Sequence, residues 1–192
     1  MPRRTRWVSM TSDPQARSDP PPSEPDADPE SVARRILLDA LTGQARTRRE
    51  LADRLARRHV PADVAERVLD RFTDVGLIDD AAFARSWVAG RVERKGLAGR
   101  SVAAELRRKG VQEEVLREAV AEIDSETEEA AARALVRQRL RSMSGLAPEV
   151  AARRLMGMLA RKGHASGTAW RVVREELVSA DVDAAALGGV PE

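Results

Sequence analysis

From about residue 31 to residue 180, apolar positions recur three and four apart, as in Leu51-x3-Leu55, Val64-x3-Val68, Val102-x3-Leu106 and Leu155-x3-Leu159. That period places them on one face of a helix and leaves the intervening charges on the other. No run alternates β-branched and polar residues, and no Asn-Gly or Asp-Gly hairpin turn occurs. Thr47-Arg48-Arg49-Glu50 has capping-box spacing, so hydroxyl and carboxylate are expected to satisfy free backbone donors at a helix start. Pro61 fits the first turn of the next helix, and Asp79 or Asp80 fits the cap of a helix beginning at Ala81. Gly110 and Gly163 each follow basic residues where a helix should end on a left-handed residue. The pattern predicts an all-α fold.

The same signals recur at a fixed interval. Leu51-x3-Leu55-Ala-Arg57-Arg58-His59-Val60 lines up with Val102-x3-Leu106-Arg-Arg108-Lys109-Gly110-Val111, and both line up with Leu155-x3-Leu159-Ala-Arg161-Lys162-Gly163-His164. A helix carried by Ile36, Leu37 and Leu41 precedes the first copy; Phe83, Trp87 and Val88 carry its counterpart before the second, and Leu135, Val136 and Leu140 before the third. A further helix follows each copy, with Val64 and Val68, Val115 and Ala119, or Thr168 and Val172 facing inward. Each repeat is therefore about fifty residues and three helices. One such unit has too small a core to stand alone, so three units stacked in an elongated curved array are expected.

Composition changes the picture mainly at the ends. Residues 1–30 hold seven of the ten prolines and read as a disordered Pro-rich tail. The repeats are expected at 31–79, 80–124 and 125–180, with a C-terminal tail over 181–192. There is no cysteine, which excludes a disulfide frame and a thiolate nucleophile. No apolar run approaches the ~18 residues of a membrane-spanning helix. The first residues carry arginines without an apolar stretch, so no secretory leader is expected and the expected location is cytoplasmic.

Total charge is nearly balanced, 33 Lys+Arg against 31 Asp+Glu, but the balance is not local. From Arg85 to Lys109 eight basic residues face two acids, and from Gly110 to Ala130 eight acids face one arginine. Cations at a helix end complement its dipole, worth roughly 0.3–1 kcal/mol each, which accounts for a cluster of this kind in any single repeat. The middle repeat holds more than that. Arg91, Arg94 and Lys95 lie at i, i+3 and i+4 on one face, Arg100 opens the next helix, and Arg107, Arg108 and Lys109 close it. These seven residues are the candidate contacts for an anionic partner, whether acidic protein surface or DNA phosphate. The acidic stretch Glu113–Glu129 reads as a solvated helix face.

Leu77-Ile78-Asp79-Asp80, Phe83-Ala84, Arg91, Lys95-Gly96, Leu106 and Lys109-Gly110 together resemble the signature of the RecX family. The likeness is sharpest over Gly76–Val111 and looser over about Ser31–Leu177; Trp170 departs from the plainer aliphatic pattern expected in the third repeat. The resemblance implies a bacterial regulator of the RecA recombinase, built from three tandem three-helix repeats. It implies binding in the groove of the RecA filament on single-stranded DNA, with filament extension, ATP hydrolysis and strand exchange reduced. Weak, phosphate-directed contact with single-stranded DNA is compatible with this. No enzyme activity, cofactor or membrane contact is implied, and a monomer is expected. On this reading, Arg91→Glu with Lys95→Glu is expected to abolish inhibition with helical content unchanged.

The alternative is a stand-alone helix-turn-helix-like DNA-binding protein, which a pI near 9.6 invites. It requires tight binding to bare DNA with a steep salt dependence. Few aromatics are available for base stacking, and Phe72, Phe83 and Trp87 fit core positions. Catalysis finds little support. His59 and His164 fall at helix ends outside any metal-binding spacing, and neighbouring acids such as Asp79-Asp80 point about 100° apart on a helix.

Overall fold

The computed structural model describes residues 28–188, with side chains described through Ala180. The Pro-rich tail expected over 1–30 lies outside the described residues as far as residue 27. Among the described residues the chain is nine helices without a strand. The first unit holds α1 (Pro29–Leu41), α2 (Arg48–Ala56) and α3 (Ala62–Asp74). The second holds α4 (Asp80–Lys95), α5 (Gly99–Arg108) and α6 (Glu113–Ala121), and the third α7 (Ser125–Leu140), α8 (Pro148–Lys162) and α9 (Ser166–Gly188).

Caps fix where these helices start. Asp28 accepts hydrogen bonds from the Glu30 and Ser31 amides, which sets the start of α1 at Pro29. The capping box of α2 forms in full: Thr47 Oγ1 accepts from the Glu50 amide at 3.2 Å and Glu50 returns a carboxylate to the Thr47 amide at 3.3 Å. Such a cap is worth about 1 kcal/mol. Asp79 caps α4 through the Ala82 amide, so the helix begins at Asp80, one residue before the expected Ala81. Pro61 sits just outside α3 as its N-cap, in extended conformation, and its carbonyl accepts from the Ala65 amide. Helix α9 runs to Gly188, past Asp181 where the sequence suggests a tail; Ala184-Ala185-Ala186-Leu187 are strong helix formers.

Each unit closes over its own aliphatic core. Leu51, Leu55, Val102, Leu106, Leu155 and Leu159, the residues that align the repeats, are all fully buried. Around them pack Leu37, Val68, Leu69 and Phe72 in the first unit, Phe83, Val88 and Leu116 in the second, and Val136, Val172 and Val173 in the third. Burying a leucine or valine in this way stabilises the fold by roughly 1.5–3 kcal/mol, so each core rests on a few side chains.

The units are joined by a contact that repeats. The start of α2 docks on the end of α5: Thr47 Oγ1 donates to the Lys109 carbonyl at 2.7 Å, and Lys109 Nζ donates to Glu50 at 2.7 Å. One unit later the start of α5 docks on the end of α8, where the Ala98 amide donates to the Lys162 carbonyl at 3.1 Å. Lys109 and Lys162 are equivalent in the repeat, as are the N-cap residues Thr47 and Ala98. The glycine after each lysine is required twice over. Gly110 has φ +78°, and a Cβ there would lie 2.4 Å from Arg49 Cβ; Gly163 has φ +92°, and a Cβ would lie 2.2 Å from Ser101 Oγ. Asp80 strengthens the first joint by accepting from the Arg48 amide at 2.9 Å. Burial holds the Asp80 carboxyl above its ordinary value despite that bond and the Arg48 charge.

The second joint has its own polar core. His164, buried, sets Nε2 3.0 Å from the Gly96 carbonyl, while its Nδ1 lies 3.9 Å from Glu128. Glu128 in turn accepts from the Gly99 amide, and Arg100 donates to the His164 carbonyl. The helix-end histidine thus has a structural role here.

Candidate partner-binding surface

The seven cations singled out in the middle unit separate into two groups. Arg91 donates to Glu105 at 2.5 Å and lays its guanidinium 3.9 Å from the centre of the Trp87 ring. Trp87 Nε1 donates to the same carboxylate at 2.9 Å and stacks on Phe83. Burial alone would raise the Glu105 carboxyl, but the hydrogen bonds from Arg91 and Trp87, with the nearby positive charge, outweigh it and hold the group below its ordinary value. Lys109 completes the cluster, with Nζ 4.3 Å from the Trp87 ring while it pairs with Glu50. Arg91 therefore packs α4 on α5 within the middle unit, while Lys109 and the joint residue Arg100 hold neighbouring units together. Arg107 is exposed but grips Glu113 with two hydrogen bonds, at 2.9 and 2.7 Å. Those bonds raise the Arg107 guanidinium and lower the Glu113 carboxyl.

Arg94, Lys95 and Arg108 make up the other group. All are exposed and, among the described residues, none pairs with a carboxylate. Arg94 folds back along α4 over Gly90, where a Cβ would meet its guanidinium. The Lys95 carbonyl accepts from Lys162 Nζ, so the end of α4 abuts the end of α8. That contact leads into the third unit, where α7 and α8 form the walls of a cleft of about 860 Å³. Arg139, Arg153, Arg154, Arg161 and Lys162 line it, and no acidic residue does. Only Arg161 and Lys162 of these belong to the cluster visible in the repeat alignment. The signal for the others was present but dispersed: Arg153 and Arg154 lie eight and seven residues before Arg161, on the same side of one helix.

The acidic stretch is mostly engaged within the fold. Glu113 pairs with Arg107, Glu114 with Arg117, and Glu129 with Arg133 and Arg171. Among the described residues, no group of three or more His, Asp or Glu is placed to hold a metal ion, and no helix is long and apolar enough to cross a membrane.

Comparison with known proteins accounts for this architecture. Models of the first, second and third three-helix domains of RecX match residues 33–72, 79–120 and 126–173. The regulatory protein RecX of Streptomyces lividans is 50% identical over 165 residues, covering 86% of this chain and 88% of that protein. The namesake in Thermobifida fusca is 52% identical over 151 residues, covering 79% and 82% respectively. The crystal structure of RecX from Lactobacillus salivarius superposes with a TM-score of 0.70 at 20% identity, over 78% of this chain and 97% of that one, which shows a shared fold. With three domains matched in order and half of the residues identical along most of two relatives, the chain belongs to the RecX family of regulatory proteins.

Proposed function

We propose that this protein restrains the RecA recombinase by lying in the groove of the RecA filament on single-stranded DNA, limiting its extension, ATP hydrolysis and strand exchange. The observation that carries the reading is the tandem match of all three RecX domains, in order, along relatives named regulatory protein RecX. The jointed array supports it physically, because units docked end to end present contacts over a length that one three-helix unit lacks. On this reading the exposed cations Arg94, Lys95 and Arg108 meet the filament. Arg100 and Lys109 hold the units in register, Arg91 packs α4 on α5 within the middle unit, and Arg107 is paired with Glu113. The protein acts in the cytoplasm as a non-enzymatic, monomeric inhibitor.

The test is RecA's ATP hydrolysis on single-stranded DNA, titrated with this protein well below one molecule per recombinase. Inhibition at that ratio is expected, and Arg94→Glu with Lys95→Glu is expected to weaken it at least tenfold. Full inhibition by that double variant would remove the end of α4 from the contact. Absence of inhibition by the unaltered protein, with tight sequence-selective duplex binding, would instead establish a stand-alone DNA reader.

A further inference from the structure

In the second and third units the lysine that closes the second helix is engaged across a joint. Lys109 Nζ meets Glu50 of the first unit at 2.7 Å, and Lys162 Nζ donates to the Lys95 carbonyl of the second. Arg58 holds the same repeat position in the first unit, which has no unit before it. It borders a small cleft of about 190 Å³ between α1 and α2, together with Val32, Arg35, Ile36, Asp39 and Arg54. Among the described residues, none of these three arginines pairs with Asp39 or with any other carboxylate. Arg54 stands where the middle unit has Glu105. Glu105 is engaged by Arg91 and Trp87, whereas the Nε of Arg54 is buried without a hydrogen-bond partner. A donor withdrawn from water and left unpaired is costly, so the cleft is short of an acceptor. Cations at the end of α2 complement its dipole, but that leaves Arg35, midway along α1, unexplained and the Arg54 Nε unpaired.

We propose that this cleft receives the acidic segment 18–27 of the same chain, which precedes α1 where the later units have another unit before them. The segment carries Asp19, Glu24 and Asp26 and no basic residue. Carboxylates are the complement the cleft asks for, since a guanidinium fork meets both oxygens of one carboxylate. The reach fits. From Asp28, the N-cap of α1, to Arg35 is seven residues of helix, about 10 Å along its axis. Glu24 lies four residues from Asp28 and Asp19 nine, spans of up to roughly 13 and 30 Å. Both acids can therefore turn back to Arg35 and cross the roughly 8–10 Å between packed helices to Arg54 and Arg58. Tethering raises the effective concentration of the segment, so a few ion pairs suffice where a free peptide would dissociate. Pro20, Pro21, Pro22 and Pro25 already restrict the backbone, which lowers the entropy lost on docking. Docked there, the segment neutralises the free end of the array and leaves the cations of the middle and third units as its exposed positive surface.

The chain has no cysteine, so Ser23→Cys gives one site for a nitroxide label on the full-length protein. The label's proximity is read as paramagnetic weakening of backbone amide signals in NMR spectra of isotope-labelled protein. A tether alone weakens residues beside Asp28, so the decisive signals are those of Arg54 and Arg58 on α2. At low salt they are expected to weaken at least twofold. At about 0.5 M salt, where the screening length falls to about 4 Å, the effect is expected to vanish. Arg54→Gln/Arg58→Gln is expected to abolish it at low salt, and Arg94→Gln/Lys95→Gln to leave it unchanged. Charge reversal by Arg54→Glu/Arg58→Glu should likewise abolish it, and adding Asp19→Lys/Glu24→Lys should restore it. Far-UV circular dichroism checks that all variants fold. No weakening on α2 at low salt, or weakening that persists in high salt and in the neutralised variant, would overturn the proposal. Nitroxide-bearing protein without isotope is also mixed with isotope-labelled protein without nitroxide. Weakening of the same amides in that mixture would reassign the cleft to the segment of a second copy. No recombinase enters the test, so its result is independent of the filament reading.

Discussion

At Arg91 the guanidinium is held from two sides, by Glu105 at 2.5 Å and by the Trp87 ring at 3.9 Å. Substitution by glutamate would set a second carboxylate against Glu105, remove the cation from the ring and leave Glu105 short of a donor. Such a half-buried loss costs about 1–3 kcal/mol. We expect Arg91→Glu to lower the melting temperature by something on the order of 5 °C. Arg94→Glu, exposed and without a carboxylate partner, should move it by no more than about 1–2 °C, as a surface change within ±0.5 kcal/mol does. Thermal denaturation followed by circular dichroism separates them, and equal melting temperatures would show that the Trp87 cluster adds nothing to stability. The double variant Arg91→Glu/Lys95→Glu, attractive from spacing alone, therefore mixes a folding defect with a contact defect. Helical spacing legibly placed Arg91, Arg94 and Lys95 on one side of α4. It could not show which of them meets a carboxylate from α5, because Glu105 lies 14 residues away and arrives only through packing.

At the scale of elements, α7 and α9 are clasped by charge rather than by hydrophobic surface alone. Glu176 accepts from Arg133 at 3.0 Å and from Arg137 at 2.8 Å, and Arg133 also reaches Glu129 and Glu175. Burial would raise the Glu176 carboxyl, but these two arginines outweigh it and lower it from its ordinary 4.5. The unfolded chain therefore binds this proton more readily than the folded one. The stabilisation is complete above pH 4.5 and is lost as pH falls through the lower folded value. Melting temperature is thus expected to drop between about pH 5 and pH 3, and Glu176→Gln should melt lower at pH 7 yet lose less across that interval. An equal slope in the variant would assign the acid sensitivity to other carboxylates. Elements were the most legible level of this chain. The capping box, the terminal glycines and the buried Leu and Val pairs all follow from short-range chemistry, and the buried pairs recur in all three repeats. What the joints do was not legible. Thr47 was readable as a cap, but its hydroxyl also donates to the Lys109 carbonyl 62 residues away, and no local pattern encodes that.

Over the whole molecule, three small cores are strung on two joints of the same design, so the relative placement of the units depends on a few close contacts. At the second joint, Gly163 has φ +92° and no room for a Cβ beside Ser101. A left-handed non-glycine residue costs roughly 1–2 kcal/mol before that overlap is counted. Gly163→Val should therefore prise α5 from α8, and Arg100 from the His164 carbonyl, while leaving the aliphatic cores of both units and the cations Arg94, Lys95 and Arg108 untouched. If the protein restrains the recombinase by spanning several filament contacts at once, a loosened joint lowers the effective concentration of the second contact after the first has formed. The half-inhibitory concentration of Gly163→Val in the ATP hydrolysis assay is then expected to rise at least tenfold. Helical content should be unchanged. Inhibition as strong as that of the unaltered protein would mean the units act as independent beads, and that geometry across the joints is not what the filament recognises.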